Sequence, residues 1–174
     1  MQVLDEHTRP EDFANLLAPL LAGNDMGLLS EAGCPAIADP GAELVRIAHQ
    51  KNIRVVPLVG PSSILLALMA SGLNGQRFMF HGYLPVEPDK RLMRIVELEK
   101  ESIARDQTQI FIETPYRNQK LLEALVQACQ ASTSLCVASE ITLASERIAT
   151  RTVKEWKHLL PGINKKPAIF LLHG

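Results

Sequence analysis

The stretch from Gly27 to Gly41, Gly-Leu-Leu-Ser-Glu-Ala-Gly-Cys-Pro-Ala-Ile-Ala-Asp-Pro-Gly, leaves few folds open to this chain. A short apolar run, Met26 to Leu29, follows the turn pair Asn24-Asp25 and reads as a buried strand. A loop of small residues runs from Ser30 to Ala38. Asp39 as N-cap and Pro40 at the first helical position predict a helix to Lys51, with Leu44, Val45, Ile47 and Ala48 on one face. Strand, small-residue loop and capped helix are the parts of an α/β binding site, where ligands lie at the carboxyl ends of strands. Gly33 and Pro35 let backbone come close to a ligand and hold it stiffly. On spacing alone the unit is equally an ordinary tight β–α connection.

A second unit of the same kind follows. Ile53 to Leu58 reads as a strand, Val59-Gly-Pro-Ser-Ser63 as a loop, and Ile64 to Ala70 as an apolar helix closed by Ser71-Gly72. Backbone N–H groups and the Ser62 and Ser63 hydroxyls at that helix start face whatever lies beyond the sheet, and one of the two serines also suits the N-cap. Upstream, Thr8-Arg9-Pro10-Glu11 is a capping-box start, and Phe13, Leu16, Leu17, Leu20 and Leu21 form an apolar stripe. Pro19 should kink or shorten that helix, and Gly23 caps its end. Two clear parallel strands, with a third near Phe78, are few for an α/β sheet flanked by helices. The pattern therefore implies a first domain that lacks its opening strand, supplied by a partner chain or lost.

The boundary falls near residues 74–86, which divides the chain into a partial N-terminal α/β domain, 1–76, and a C-terminal α/β domain with a mixed sheet, 77–174. The second half reads as a strand over 77–81 and a charged helix over 89–105. Leu92, Ile95, Val96 and Leu98 point inward there, with Lys90, Arg91, Arg94, Glu97, Glu99 and Lys100 outward. Strands follow over 107–113, 134–139, 147–150 and 167–173. Helices begin at Thr114-Pro115 and at a second capping box, Thr152-Val-Lys-Glu155, the latter running to Leu160. Apolar residues make up 47% of the chain, enough for a real core. Eighteen basic and nineteen acidic side chains exclude the bulk cationic field of a general nucleic-acid binder. No apolar run reaches membrane-spanning length. Three scattered cysteines, Cys34, Cys129 and Cys136, point to a reducing compartment, with no disulfide framework and no metal site. The chain reads as soluble, cytoplasmic and without membrane partners.

With these motifs in order, Ser30 to Gly41, Val56-Pro-Leu-Val-Gly-Pro-Ser-Ser63, Phe80-His-Gly-Tyr-Leu-Pro85, Phe111-Ile-Glu-Thr-Pro-Tyr-Arg117 and Ala138-Ser-Glu-Ile-Thr142, the chain resembles the tetrapyrrole methylase superfamily. Within it, the ribosomal RNA small subunit methyltransferase I group is the nearest match. The resemblance runs from residue 8 to the closing strand. It implies two α/β domains with a cleft between them in which S-adenosyl-L-methionine, the methyl donor, lies folded. Gly33, Cys34, Pro35 and Ile37 in one loop, and Ser62, Ser63 and Ile64 in the other, are the donor contacts it implies. Segments near Pro115 and 138–142 would close over the adenosine. Members open with a further strand and a Gly- or Pro-rich loop that this sequence lacks, so it reads as an N-terminally shortened member. Glu31 stands where Asp is common, and Cys34 where Thr or Asp is. Nothing in the sequence pairs Cys34 with a base, so it is not read as a nucleophile.

Methyl transfer from a sulfonium is mostly alignment and desolvation when the acceptor is already nucleophilic. A ribose 2′-hydroxyl must also lose its proton, which calls for a base or a polarising cation. Glu113 and Arg117 are the leading candidates, beside Lys120, Glu140 and His81; each also has a plain structural role as a cap, a helix surface group or a loop histidine. Lys90, Arg91, Arg94 and Arg117 are candidates for an RNA-facing patch. The resemblance implies methyl transfer to a cytidine 2′-hydroxyl of ribosomal RNA, and homodimers. Two other readings stay open: a tetrapyrrole or corrin ring as acceptor, and a catalytically silent, dimer-forming module.

Overall fold

A computed structural model describes every residue of the chain except Pro10 and Ala32. In chain order the elements are α1 (Asp12–Leu21), α2 (Ala42–Gln50), α3 (Ser63–Ser71), β1 (Phe78–Tyr83), α4 (Pro88–Arg105), β2 (Thr108–Ile112), α5 (Asn118–Ala128), β3 (Ser134–Ser139), β4 (Arg147–Thr152), α6 (Val153–Trp156) and β5 (Ala168–His173). They divide into two units, Met1–Ser62 and Ser63–Gly174.

In the first unit α1 and α2 meet through Phe13, Leu17, Leu44 and Ala48. The expected capping box does not close: Thr8 Oγ1 accepts from the Asp5 N–H at 2.9 Å instead. The Pro10 position of that motif lies outside the described residues. Pro19 does not break α1, which runs on to Leu21 and turns out through Gly23 at φ 86°. The second helix starts later than Asp39-Pro40 predicts, with Gly41 as its N-cap. Ala36 and Ala38 take left-handed backbone, φ 65° and 53°, and carry the chain past the expected start. Gly41 sits at φ 137°, backbone that favours glycine, and a Cβ there would also come within 2.8 Å of Leu28 Cδ2 and push that methyl aside.

The apolar runs at 26–29 and 53–58, read from sequence as strands, form no ladder among the described residues. Leu58 is 89% exposed. An apolar run becomes a strand only when another strand takes up its backbone N–H and C=O groups, and neither run finds such a partner in this unit.

The second unit is built on a five-stranded sheet in the order β1-β2-β5-β3-β4. β1 runs parallel to β2, and the remaining neighbours are antiparallel. β2, β3 and β5 read as nearly unbroken apolar runs because both faces of the sheet are covered. On one face Phe111, Leu135, Val137 and Phe170 pack against Ile95 and Leu98 of α4 and Leu121 and Leu125 of α5. On the other, Ile110, Cys136, Ala138, Ile169 and Leu171 pack against Ala67 and Leu68 of α3. The sequence places α3 in the 1–76 domain; in the structure its Ala67 and Leu68 pack on this sheet, and the compact unit that holds the sheet begins at Ser63.

The capping box at Thr152 and Glu155 forms as read, but α6 stops at Trp156, whose indole N–H donates to the Leu135 carbonyl at 2.7 Å. α5 begins at Asn118, because the segment from Thr114 first makes a turn closed by the Arg117 N–H on the Thr114 carbonyl. Two residues of α4 expected outside, Arg91 and Glu99, are buried. Glu99 accepts from the Gln130 N–H at 2.8 Å and from the Thr133 hydroxyl, so the carboxylate ties α4 to the start of β3.

Candidate functional site

Strand directions bring five segments of the second unit to one edge of its sheet. Tyr83 ends β1 beside Ile112, and Ile112 lies beside Ile169 near the start of β5. Ala168 pairs Ser139 at the end of β3, and Ser139 pairs Arg147 at the start of β4. Glu113, Lys166 and Glu140 each follow or precede one of these strand ends. The α5 start stands at the same edge.

Two ion pairs occupy it. Arg117 Nη2 donates to Glu113 Oε1 at 2.7 Å; the Glu113 side chain is 1% exposed and that of Arg117 37%. The Thr114 N–H donates to the same carboxylate oxygen at 2.7 Å. Burial alone would raise the Glu113 carboxyl; the Arg117 guanidinium and the Thr114 amide outweigh it and hold the carboxyl below the ordinary carboxylate range. The same bond raises Arg117 against a smaller opposing effect of burial. At the other pair Lys166 Nζ donates to Glu140 Oε2 at 2.6 Å, and this bond holds the Glu140 carboxyl low. Backbone stitches join the two pairs. The Lys165 N–H donates to the Pro115 carbonyl at 2.9 Å, the Glu140 N–H to the Pro167 carbonyl at 2.9 Å, and the Asn118 side-chain amide to the Lys166 carbonyl.

Of the candidate residues, Glu113, Arg117 and Glu140 therefore share an edge. Lys120 is exposed on α5. His81 is elsewhere: its Nε2 lies 2.6 Å from Oε1 of buried Gln109 within the sheet, a satisfied histidine. The α4 cations do not form a free patch. Arg91 is buried, Arg94 Nη1 pairs with Glu97 and Glu101 at 3.1 Å each, and Lys90 pairs with Glu87. Sequence reading missed Lys165, Lys166 and Asn118; the lysine pair just before the closing strand was the available signal.

In the first unit the Cys34 thiol donates to the Pro61 carbonyl at 3.4 Å, which ties the 30–38 loop to the Gly-Pro-Ser loop. Gly33 takes φ 78° with open space where a Cβ would lie, and Ile37 and Val59 are exposed. Ser63 opens α3, and Ile64 packs on the sheet core of the second unit. Burial pushes the Cys129 thiol up to about 12 and raises that of Cys136, so neither supplies a thiolate nucleophile near neutrality.

Small-residue loops followed in the chain by a mixed sheet covered by helices on both faces make this an α/β protein. Residues 4–157 match the family of tetrapyrrole (corrin/porphyrin) methylases, and the chain belongs to that family. It is similar to the ribosomal RNA small subunit methyltransferase I of Mesorhizobium japonicum, at 40% identity over 149 residues, 86% of this chain and 49% of that protein. The protein of the same name in Vibrio cholerae is 33% identical over 98% of this chain and 59% of its own length. The chain thus spans about half the length of the curated relatives it matches. Among solved structures, the methyltransferase CobJ superposes with a TM-score of 0.64 at 14% identity, covering 96% of this chain and 72% of its own. The cobalt precorrin-4 methyltransferase CbiF gives 0.59 at 20% identity, over 97% and 72%. These likenesses carry the fold.

Proposed function

We propose that the chain is part of an S-adenosyl-L-methionine-dependent methyltransferase whose acceptor is ribosomal RNA, at a cytidine 2′-hydroxyl. The observation that carries this reading is the 40% identity to a ribosomal RNA methyltransferase across most of the chain. The family's arrangement, two α/β domains with the donor in the cleft between them, comes with it, as do a homodimer and a cytosolic place of work. No described helix is long and apolar enough to cross a membrane.

Gly33, Cys34, Pro35 and Ile37, with Ser62, Ser63 and Ile64, are the residues we assign to the donor. The first-unit loops fit it: they are held together at Cys34 and Pro61, their backbone is not taken up by a ladder among the described residues, and Ile37 and Val59 offer apolar surface. The donor supplies an electrophilic methyl on sulfur. The acceptor hydroxyl would have to give up its proton to solvent or a base. Glu113 is ionised and committed to Arg117, so its role in this reading is positioning: it holds the guanidinium where it can polarise the hydroxyl.

Calorimetric titration with S-adenosylhomocysteine tests the donor assignment. The expected result is binding in the micromolar range, weakened about tenfold, or 1.4 kcal/mol, by Gly33→Val. Absence of heat at millimolar ligand would sink it. Labelled methyl recovered in small-subunit RNA supports the acceptor. A Soret-band change with a corrinoid precursor and no label in RNA replaces it with a ring.

A further inference from the structure

The chain has two tyrosines, and both stand at the charged edge of the second unit. Tyr83 ends β1 and is 56% exposed; Tyr116 occupies the Thr114–Arg117 turn and is 75% exposed. Both rings are left open to water, whereas the Trp156 ring is buried, so their faces are free to meet a ligand.

Arg117 lies next to Tyr116 in the chain, in the turn that follows Ile112, and Ile112 is the register partner of Tyr83. Glu113 fixes one end of its guanidinium, while its Nε is buried with no hydrogen-bond partner among the described residues. Asn118 Oδ1, on the following residue, is also buried without a partner. Lys165 is anchored through its own N–H to the Pro115 carbonyl of the same turn, is exposed, and has no ion pair among the described residues. Lys166, Arg94 and Lys90 are all engaged by carboxylates. The edge therefore offers aromatic faces, a guanidinium fixed by Glu113 and partly open to solvent, and the exposed ammonium of Lys165.

We propose that Tyr83, Tyr116 and Arg117 form a stacking site for an unpaired nucleobase of an RNA strand, with Lys165 taking an adjoining phosphate. This rests on the RNA methyltransferase reading above and names how its acceptor is held. Aromatic rings bind single strands because every base has a face to stack, which a duplex hides. Charge selects the occupant. The donor also carries a base, its adenine, but it has a single carboxylate and no phosphate, whereas a phosphodiester strand brings one anionic group per nucleotide to Lys165 and Arg117.

The test is fluorescence anisotropy of a labelled, unpaired oligocytidylate of about eight nucleotides, with the full chain at low and moderate salt. Tyr116→Ala is expected to weaken binding about tenfold and Tyr116→Phe to restore it. Lys165→Ala is expected to lower the salt slope by about 1. Unchanged Trp156 emission shows that the variants are folded. If the chain binds and Tyr116→Ala binds equally well, the stacking site is overturned and the RNA reading stands. If Tyr116→Ala weakens S-adenosylhomocysteine but not the oligonucleotide, the ring serves adenine and the assignment falls. If the unaltered chain binds no oligonucleotide at either salt, the RNA reading fails, and the stacking site with it.

Discussion

Glu113 is buried to the point where an isolated carboxylate would take up a proton, and it stays ionised because Arg117 and the Thr114 amide meet it. Its folded-state value lies below that of the unfolded chain, about 4.3. The unfolded chain thus takes the proton first as pH falls. The stabilisation is complete above the unfolded value and is lost as pH drops through the folded one. Glu113→Gln should cost about 1 kcal/mol at pH 7, less than the roughly 1.5–3 kcal/mol of a fully buried charged hydrogen bond, since Arg117 is partly open to solvent. The gap should begin to narrow as pH falls below about 4.3. Urea unfolding followed by Trp156 emission measures it; a gap that persists unchanged at pH 3 would show that the charge contributes nothing. Glu140, held low by Lys166, adds to the same acid limb.

Among the elements, α6 depends most on a few atoms. It is a single turn, and its first N–H groups are met by the reciprocal Thr152–Glu155 box. Its Trp156 indole reaches back to β3, and Arg151 lies 5.6 Å from the ring centroid. Thr152→Ala should destabilise the second unit by about 1 kcal/mol, within the range for a lost N-cap. That is a fall of several degrees in melting temperature for a unit of this size. No measurable fall would mean that the Trp156 anchor alone holds the turn. α3 shows the opposite case, apolar on every side, so that periodicity could not say which sheet it would cover.

At the scale of the whole molecule the two units are unequal. The first rests on a core of Phe13, Leu17, Leu44 and Ala48, while the second buries Phe111, Phe170 and many aliphatic side chains between helices and sheet. A core that small gives marginal stability. Hydrogen exchange should therefore show amides at 26–29 and 53–59 exchanging within seconds to minutes, and those of β2 and β5 protected to near the global limit. Slow exchange at 53–59 would mean that these segments are paired in solution. The same contrast separates what a linear reading could reach from what it could not. β3, α4 and the Thr152 box were legible because an apolar run, helical periodicity and capping are local. The Glu113–Arg117 pair was half legible, since the two lie four residues apart around a turn. The Glu140–Lys166 bond joins residues 26 apart and exists only because β3 and β5 run antiparallel with Ser139 opposite Ala168. Arg91 and Glu99 passed for surface charges until packing buried them. The runs at 26–29 and 53–58 have the composition of strands, but a strand is made by its neighbour. Composition and local pattern set the elements and the family; pairing partners and sheet register, which depend on contacts distant in the chain, set which of those elements formed and which side chains meet at the site.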